Sequence, residues 1–256
     1  MTKRKSRNTF RAVKVFLFVF AAFSFFTAGH FFYNFLTHWS KLNVSKIDVR
    51  GVKVLNEEYV KHLTGFRMGE NIFSYSINPL IYRREKWIKN IKITRAFPDR
   101  IIVNVRERIP IALFRKETQG FVVTFDETII KNIERAEKIY ALPRWDRFND
   151  TSAGTRKRVV DFLRALHSRE YEFYEKLVDF KIEGESLVMN MKDYKIYFGH
   201  PDKSILKDKF SAVSKIAEDA LRKGGTLDYV DLRPFTKKMR SAIIKLKNEV
   251  GKKNVK

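Results

Sequence analysis

The chain contains no cysteine. That absence excludes disulfide scaffolds, thiol nucleophiles, iron–sulfur clusters and thiolate zinc sites together. Histidine is nearly as scarce: His30, His38, His62, His167 and His200 are the whole complement, and none is paired at metal-ligand spacing. Neither a histidine-rich metal site nor any other cofactor is therefore expected. Gly-x-Ser-x-Gly, the Walker loop, Gly-x-Gly-x-x-Gly and His-Glu-x-x-His are also missing. Ser204-Ile-Leu-Lys207 fits the Ser-x-x-Lys nucleophile pattern, but the accompanying Ser-Asp-Asn and Lys-Thr-Gly elements are absent. It falls at the start of an amphipathic helix and reads as a chance match. Acidic residues between Glu134 and Glu137 and between Glu170 and Glu175 alternate with bases, which suits solvated helix faces. No enzyme is expected.

What is present is a 256-residue chain that is 44% hydrophobic and 14% aromatic, enough for one or two packed domains and too apolar for wholesale disorder. Its charge is lopsided, with 52 Lys and Arg against 29 Asp and Glu and a net charge of +23. Residues 1–14 hold Lys3, Arg4, Lys5, Arg7, Arg11 and Lys14 with no acid, and Val15 to Leu36 then runs without any charge. Twenty-two residues of helix span about 33 Å, the thickness of a bilayer's hydrocarbon core. A cleavable signal has a shorter apolar region of about 7–15 residues, so an uncleaved transmembrane anchor is expected. The basic flank puts the N-terminus in the cytoplasm and the rest of the chain outside. His30 and Asn34 fall near the outer end, where Tyr33 and Trp39 suit the interface. The exported part keeps an excess of 17 positive charges, which favours anionic lipid or acidic wall polymer over nucleic acid, a partner unavailable after export.

Beyond the anchor the pattern is of short elements. Lys46–Arg50 alternates as a half-buried strand that Gly51 ends, and Asn56 starts a short helix that Gly65 stops. A second helix is expected from Pro79, carrying Leu80, Ile81 and Trp87. Strands Ile91–Ala96 and Ile101–Glu107 follow, joined by Phe97-Pro98-Asp99-Arg100, with Ile101, Val103 and Val105 on one face. After Pro110 come a hairpin of Phe121–Phe125 and Ile129–Ile133 and a long connection from Leu142 through Gly154. Val159, Phe162, Leu163 and Leu166 then mark a helix. A meander of Phe180–Glu183, Leu187–Met191 and Lys195–Phe198 leads to a helix from Asp202 to Gly224-Gly225 and a last strand Tyr229–Arg233. Lys237–Lys256 carries eight Lys or Arg against Glu249 alone and reads as a solvated tail.

Three segments together resemble the bacterial cell-division family FtsQ, also called DivIB. The first runs Trp87-Ile-Lys89, Ile93-Thr-Arg95-Ala-Phe97-Pro98-Asp99 and Val105-Arg-Glu107-Arg108-Ile-Pro110-Ile-Ala112. The second is Tyr197-Phe198-Gly199, ahead of a helix bearing Lys203 and Lys207, and the third is Val230-Asp231-Leu232-Arg233. Two departures stand out. Asp126-Glu127-Thr128 lacks the glycine usual in that family's hairpin, and Pro234 stands where an aromatic commonly follows the Asp-Leu-Arg triplet.

The resemblance implies an α+β chain: a basic cytoplasmic tail (1–14), one transmembrane helix (15–36), a β-α-α-β-β POTRA domain (44–112), a second mixed, mainly antiparallel β-domain with flanking helices (113–235) and a basic tail (236–256). It implies a non-catalytic, single-pass scaffold at the division septum, binding partners of the FtsB and FtsL type outside the cytoplasmic membrane and linking early to late division factors. It also implies strand addition at the C-terminal edge, where Val230, Asp231, Leu232 and Arg233, with Phe235, Thr236, Lys237, Lys238 and Met239 as an exposed continuation, would bind the partner. The rival expectations are a POTRA-containing transport or outer-membrane assembly component and a membrane-anchored cell-wall enzyme.

Overall fold

The computed structural model describes residues 3–73, 84–131 and 133–247. The chain divides into two compact units, 1–107 and 108–256.

The first unit opens with α1 (Lys3–His38). Within it, Val13–His38 is a 26-residue candidate membrane span with mean hydropathy 1.9, and none of its most apolar stretch is buried against protein. The first strand is β1 (Lys46–Arg50), and α2 (Glu57–Thr64) follows. The Asn56 side chain accepts a hydrogen bond from Glu58 N at 2.9 Å, satisfying a first-turn amide. Gly65 closes the helix in the left-handed region at φ 74°. The start of the helix expected from Pro79, with Leu80 and Ile81, falls outside the described residues, and Trp87, expected on that helix, is buried in the turn before the next strand. Strands β2 (Ile88–Ala96) and β3 (Arg100–Glu107) are antiparallel, and β1 pairs parallel to β3, so the sheet order is β1-β3-β2. Ile101, Val103 and Val105 point into the core with Val49, Val60, Ile72 and Ile91.

The motif residues of this unit latch it together. Arg95 Nε donates to Ile72 O at 2.9 Å. The Asp99 carboxylate accepts from the Ser45 hydroxyl, and its carbonyl accepts from Ser45 N. Glu107 takes the amides of Val54 and Leu55 at 2.9 and 2.8 Å. Asp99 thus bonds across the fold to a distant segment, and not to the backbone just beyond it. Gly51 has φ 84°, and a Cβ there would sit 2.2 Å from Val105 O, so only glycine fits.

The second unit is a nine-stranded mixed sheet. In chain order its elements are β4 (Pro110–Lys116), β5 (Gln119–Thr124), β6 (Ile129–Lys131), α3 (Glu134–Ile139), β7 (Arg144–Asp146), α4 (Ala153–Arg169), α5 (Tyr171–Lys176), β8 (Leu177–Glu183), β9 (Ser186–Met191), β10 (Lys195–Gly199), α6 (Leu206–Arg222), β11 (Leu227–Asp231) and β12 (Ile243–Leu246). The sheet order is β12-β11-β10-β9-β8-β7-β4-β5-β6. Three differences from the sequence reading matter. Pro110, Ile111 and Ala112, expected to close the first domain, start β4 of the second sheet, where Ile111 and Ala112 join the second core. The expected connection from Leu142 to Gly154 contains β7, which bridges β4 and β8 and buries Trp145. The tail contains β12. In the β5–β6 turn, Glu127 adopts φ 65° in place of a glycine.

Helices α4 and α6 place Phe162, Leu163, Leu166, Phe210 and Val213 against Phe180, Ile196, Phe198 and Val230 of the sheet. Tyr174 on α5 donates its hydroxyl to Ile111 O at 2.9 Å, and burial raises its pKa.

Candidate partner-binding edge

The C-terminal end of the second sheet is built around β11. Its Tyr229, Val230 and Asp231 pair in parallel with Lys195, Ile196 and Tyr197 of β10. On the other side Leu227, Tyr229, Val230 and Asp231 pair antiparallel with Leu246, Lys245, Ile244 and Ile243 of β12. The backbone of β11 is therefore engaged on both sides. The expected open edge is corrected at Val230 and Asp231, where the chain turns back and supplies its own next strand. Leu232 N continues the ladder to Tyr197 O at 2.8 Å.

The side chains of this stretch divide sharply. Val230, Leu232 and Phe235 are buried in the second core, so Phe235 does not belong to an exposed continuation. The Asp231 carboxylate, itself buried, accepts from Arg233 Nε at 2.9 Å, from Arg233 Nη2 at 2.6 Å and from Arg233 N at 2.9 Å. Those bonds hold its pKa below the usual carboxylate value. The Arg233 guanidinium lies 5.2 Å over the Tyr197 ring, and Tyr197 meets Tyr229 edge to face at 5.6 Å. Thr236, Lys237, Lys238 and Met239 are exposed and form the turn toward β12. There Thr236 N donates to Met239 O at 2.8 Å, and Met239 N donates to the Thr236 hydroxyl at 3.1 Å.

Behind the triplet sits Lys209 of α6, 2% exposed. Its ammonium donates to Phe198 O and lies 4.4 Å from the Phe198 ring centroid. Burial lowers its pKa to about 8, with Asp202 and Asp231 acting in the opposite sense. Gly199 has φ 80°, a left-handed conformation that favours glycine, while a Cβ there would make only ordinary contacts, 3.4 Å from Arg233 Cα and 3.8 Å from Lys209 Nζ.

The strand β12 is the outermost of the sheet, and among the described residues nothing pairs with its far side. Ile243, Ile244 and Leu246 are 55%, 48% and 39% exposed. Lys245 bridges to Asp228 at 3.2 Å and Arg240 to Asp208 at 4.0 Å. Next to the strand's end, a cleft of about 510 Å³ is lined by Phe173, Asp193, Glu218, Leu221 and Lys247 among others. Sequence reasoning missed β12 because its four residues sit inside a run of cations. The signal was there: Ile243-Ile244 is the apolar pair within that run.

The Ser204 hydroxyl donates to Asp202 Oδ2 at 2.8 Å and its amide to Asp202 Oδ1, so it is engaged in a turn ahead of α6 and not with Lys207. Among the described residues no group of three His, Asp or Glu stands where it would hold a metal ion.

Comparison with known proteins agrees with this architecture. Residues 42–108 match the family model of the POTRA domain, FtsQ-type. The chain is 24% identical over 217 residues to the cell division protein FtsQ of Syntrophotalea carbinolica, covering 79% of this chain and 73% of that protein. It is 21% identical over 224 residues to the FtsQ of Geotalea daltonii, covering 80% and 78%. The FtsQ of Novosphingobium aromaticivorans is 26% identical over 132 residues. The chain thus carries an FtsQ-type POTRA domain behind one N-terminal apolar helix and ahead of a mixed β-sheet unit, and over about four fifths of its length it is similar to cell division proteins named FtsQ.

Proposed function

We propose that the chain is a non-catalytic, single-pass scaffold of the division complex. Its N-terminus is cytoplasmic, and its second unit is extended by a strand from a partner of the FtsB type, with an FtsL-type protein in the same assembly. The observation that carries the binding mode is the outer edge of β12, with which none of the described residues pairs. An exposed edge strand, even a short one, presents unpaired N–H and C=O groups with which an extended chain can pair. Here Lys245 is the one charge within a strand whose other three side chains are apolar and exposed. Main-chain hydrogen bonds supply affinity in strand addition, and alternate side chains supply specificity. The surrounding Lys237, Lys238, Arg240 and Lys247 favour a partner strand flanked by acids.

The division between domains follows the same reading: a POTRA domain from about 44 to the start of β4, then the β-domain with β12 included. The residues from Val230 to Met239 act here by holding β12 in place, through the Asp231–Arg233 pair and the Thr236–Met239 turn.

Truncation after Met239 tests the mode. It removes β12, none of whose four side chains belongs to the second core, and far-UV circular dichroism of the truncated chain checks that the unit still folds. Capture of the FtsB-type partner from membranes by the truncated chain should fall to background. Retained or stronger capture would mean that the partner displaces β12 and pairs with β11 itself. A fluorescent fusion of the full chain should concentrate at mid-cell, and a uniform membrane distribution would contradict the division role.

A further inference from the structure

The end of the anchor helix is tied to one corner of the first unit. Asn71 Nδ2 donates to Leu36 O at 2.9 Å, in the last turn of α1, and Asn71 Oδ1 accepts from Phe73 N at 2.9 Å. Ile72 N donates to Leu42 O at 2.8 Å, just past the helix. The Phe73 ring then stacks 5.5 Å from Phe97, in the turn between β2 and β3. A continuous run of contacts thus leads from the last turn of the apolar helix to the Phe97 turn.

The sheet register agrees. Lys46, the first residue of β1, pairs with Arg100, the first residue of β3, so the 96–100 turn lies at the same end of the sheet as the helix. Gly51 and Glu107 lie at the other end, beyond a strand that extends roughly 13 Å. At the helix end Phe97 is 61% exposed and Trp39 is 41% exposed. Lys41 and Arg95 are exposed beside them.

A single exposed aromatic needs no explanation. Two of them, flanked by cations and set where an apolar helix of membrane length ends, match the composition of an interfacial belt. There, aromatic rings sit at headgroup depth and basic side chains meet anionic lipid. The occupant follows from continuity: a bilayer crossed by Val13–His38 necessarily ends beside this corner.

We propose that the Phe97 turn is a membrane-docking element that inserts beside Trp39 into the headgroup region of the leaflet at which α1 ends, fixing the tilt of the first unit on the membrane. The proposal rests on the reading of α1 as a membrane span.

The natural absence of cysteine makes the test direct, because each single-cysteine variant carries one label. Full-length Phe97→Cys, Phe25→Cys and Lys53→Cys, each bearing an environment-sensitive fluorophore, are reconstituted in vesicles of phosphatidylethanolamine and phosphatidylglycerol. Spin-labelled lipids with the quencher near the headgroup or deep in the acyl chain report depth. The label at Phe25 should be quenched by the deep probe. The label at Phe97 should show blue-shifted emission and lose most of its intensity to the shallow probe. The label at Lys53, past the far end of β1, should be unquenched and water-like. A water-like Phe97 beside a quenched Phe25 overturns the docking element, leaves the anchor intact and assigns the surface to a protein partner. A water-like Phe25 overturns the anchor and the proposal with it. Phe97→Trp, which keeps an interfacial aromatic, should show the same shallow quenching of its indole in a background with Trp39, Trp87 and Trp145 replaced by Phe.

Discussion

Replacing Lys209 by methionine isolates the energetics behind the C-terminal edge. The substitution keeps an unbranched, apolar stem and removes one buried ammonium. The fall in pKa from 10.5 to about 8 means the charged form is disfavoured on folding. At 1.36 kcal/mol per pH unit this amounts to about 3 kcal/mol. Against that relief stands the lost charge-assisted hydrogen bond to Phe198 O, about 1.5–3 kcal/mol when the carbonyl is left without a partner. The two nearly cancel at neutral pH, so the Lys209→Met chain should be within about 1–2 kcal/mol of wild type there. The pH dependence separates them. A lysine with a depressed folded-state pKa binds fewer protons folded than unfolded between the two values, so its contribution makes stability rise with pH across that interval. Wild type should therefore gain about 3 kcal/mol relative to Lys209→Met between pH 8 and 10.5. Tyr194, whose pKa burial raises to about 12, works in the opposite sense but is common to both chains and drops out of the difference. The assay is urea unfolding of the full chain in detergent, with Trp39 and Trp87 replaced by Phe so that buried Trp145 reports on the second unit alone. Parallel curves for the two chains across that range would refute a buried, deprotonating Lys209.

The remaining predictions concern named local devices. Gly51→Ala should destabilise the first unit by about 2 kcal/mol or more, from left-handed strain plus a Cβ driven into Val105 O. Gly65→Ala, equally left-handed but with open space around it, should cost only about 1 kcal/mol; thermal unfolding of the two variants should rank them in that order. Asn56→Ala should cost about 1 kcal/mol through the lost α2 cap, read in the same experiment. Asp231, with its pKa held down by Arg233, contributes stability that is present above pH 3.8 and lost as pH falls through its folded value. Wild type should therefore lose more stability than Asp231→Asn on going from about pH 5 to about pH 3, and equal losses would show that the pair does nothing for the fold.

How much of this was legible in the sequence depends on where the information lay. Local chemistry was enough for β1 and α2, because alternation, the Asn56 cap and the Gly65 stop all lie within a few residues of the elements they define. The long apolar helix was legible from the uncharged run Val15–Leu36 alone. Strand β7 was not: three residues are too few to show a period of two, and its place between β4 and β8 is set by partners more than 30 residues away in sequence for each neighbour. Strand β4 opens on Pro110 and runs nearly continuously apolar, which hides the alternation that marks a one-sided strand. The edge was located in the wrong strand for a related reason. Whether β11 is open depends on whether the chain returns, and β12 is masked by surrounding lysines. Buried Lys209, by contrast, could have been found, since it falls on the stripe of Leu206, Phe210 and Val213 that faces the sheet.

The central claim, that a partner strand pairs along β12, is tested most directly by photocrosslinking in growing cells. A photoreactive amino acid at Lys245, on the outer strand, should give an adduct with an FtsB-type protein, while the same group at Lys138 on α3, next to the opposite end of the sheet, should not. An adduct from Lys138 and none from Lys245, with the partner still co-purifying, would contradict the account.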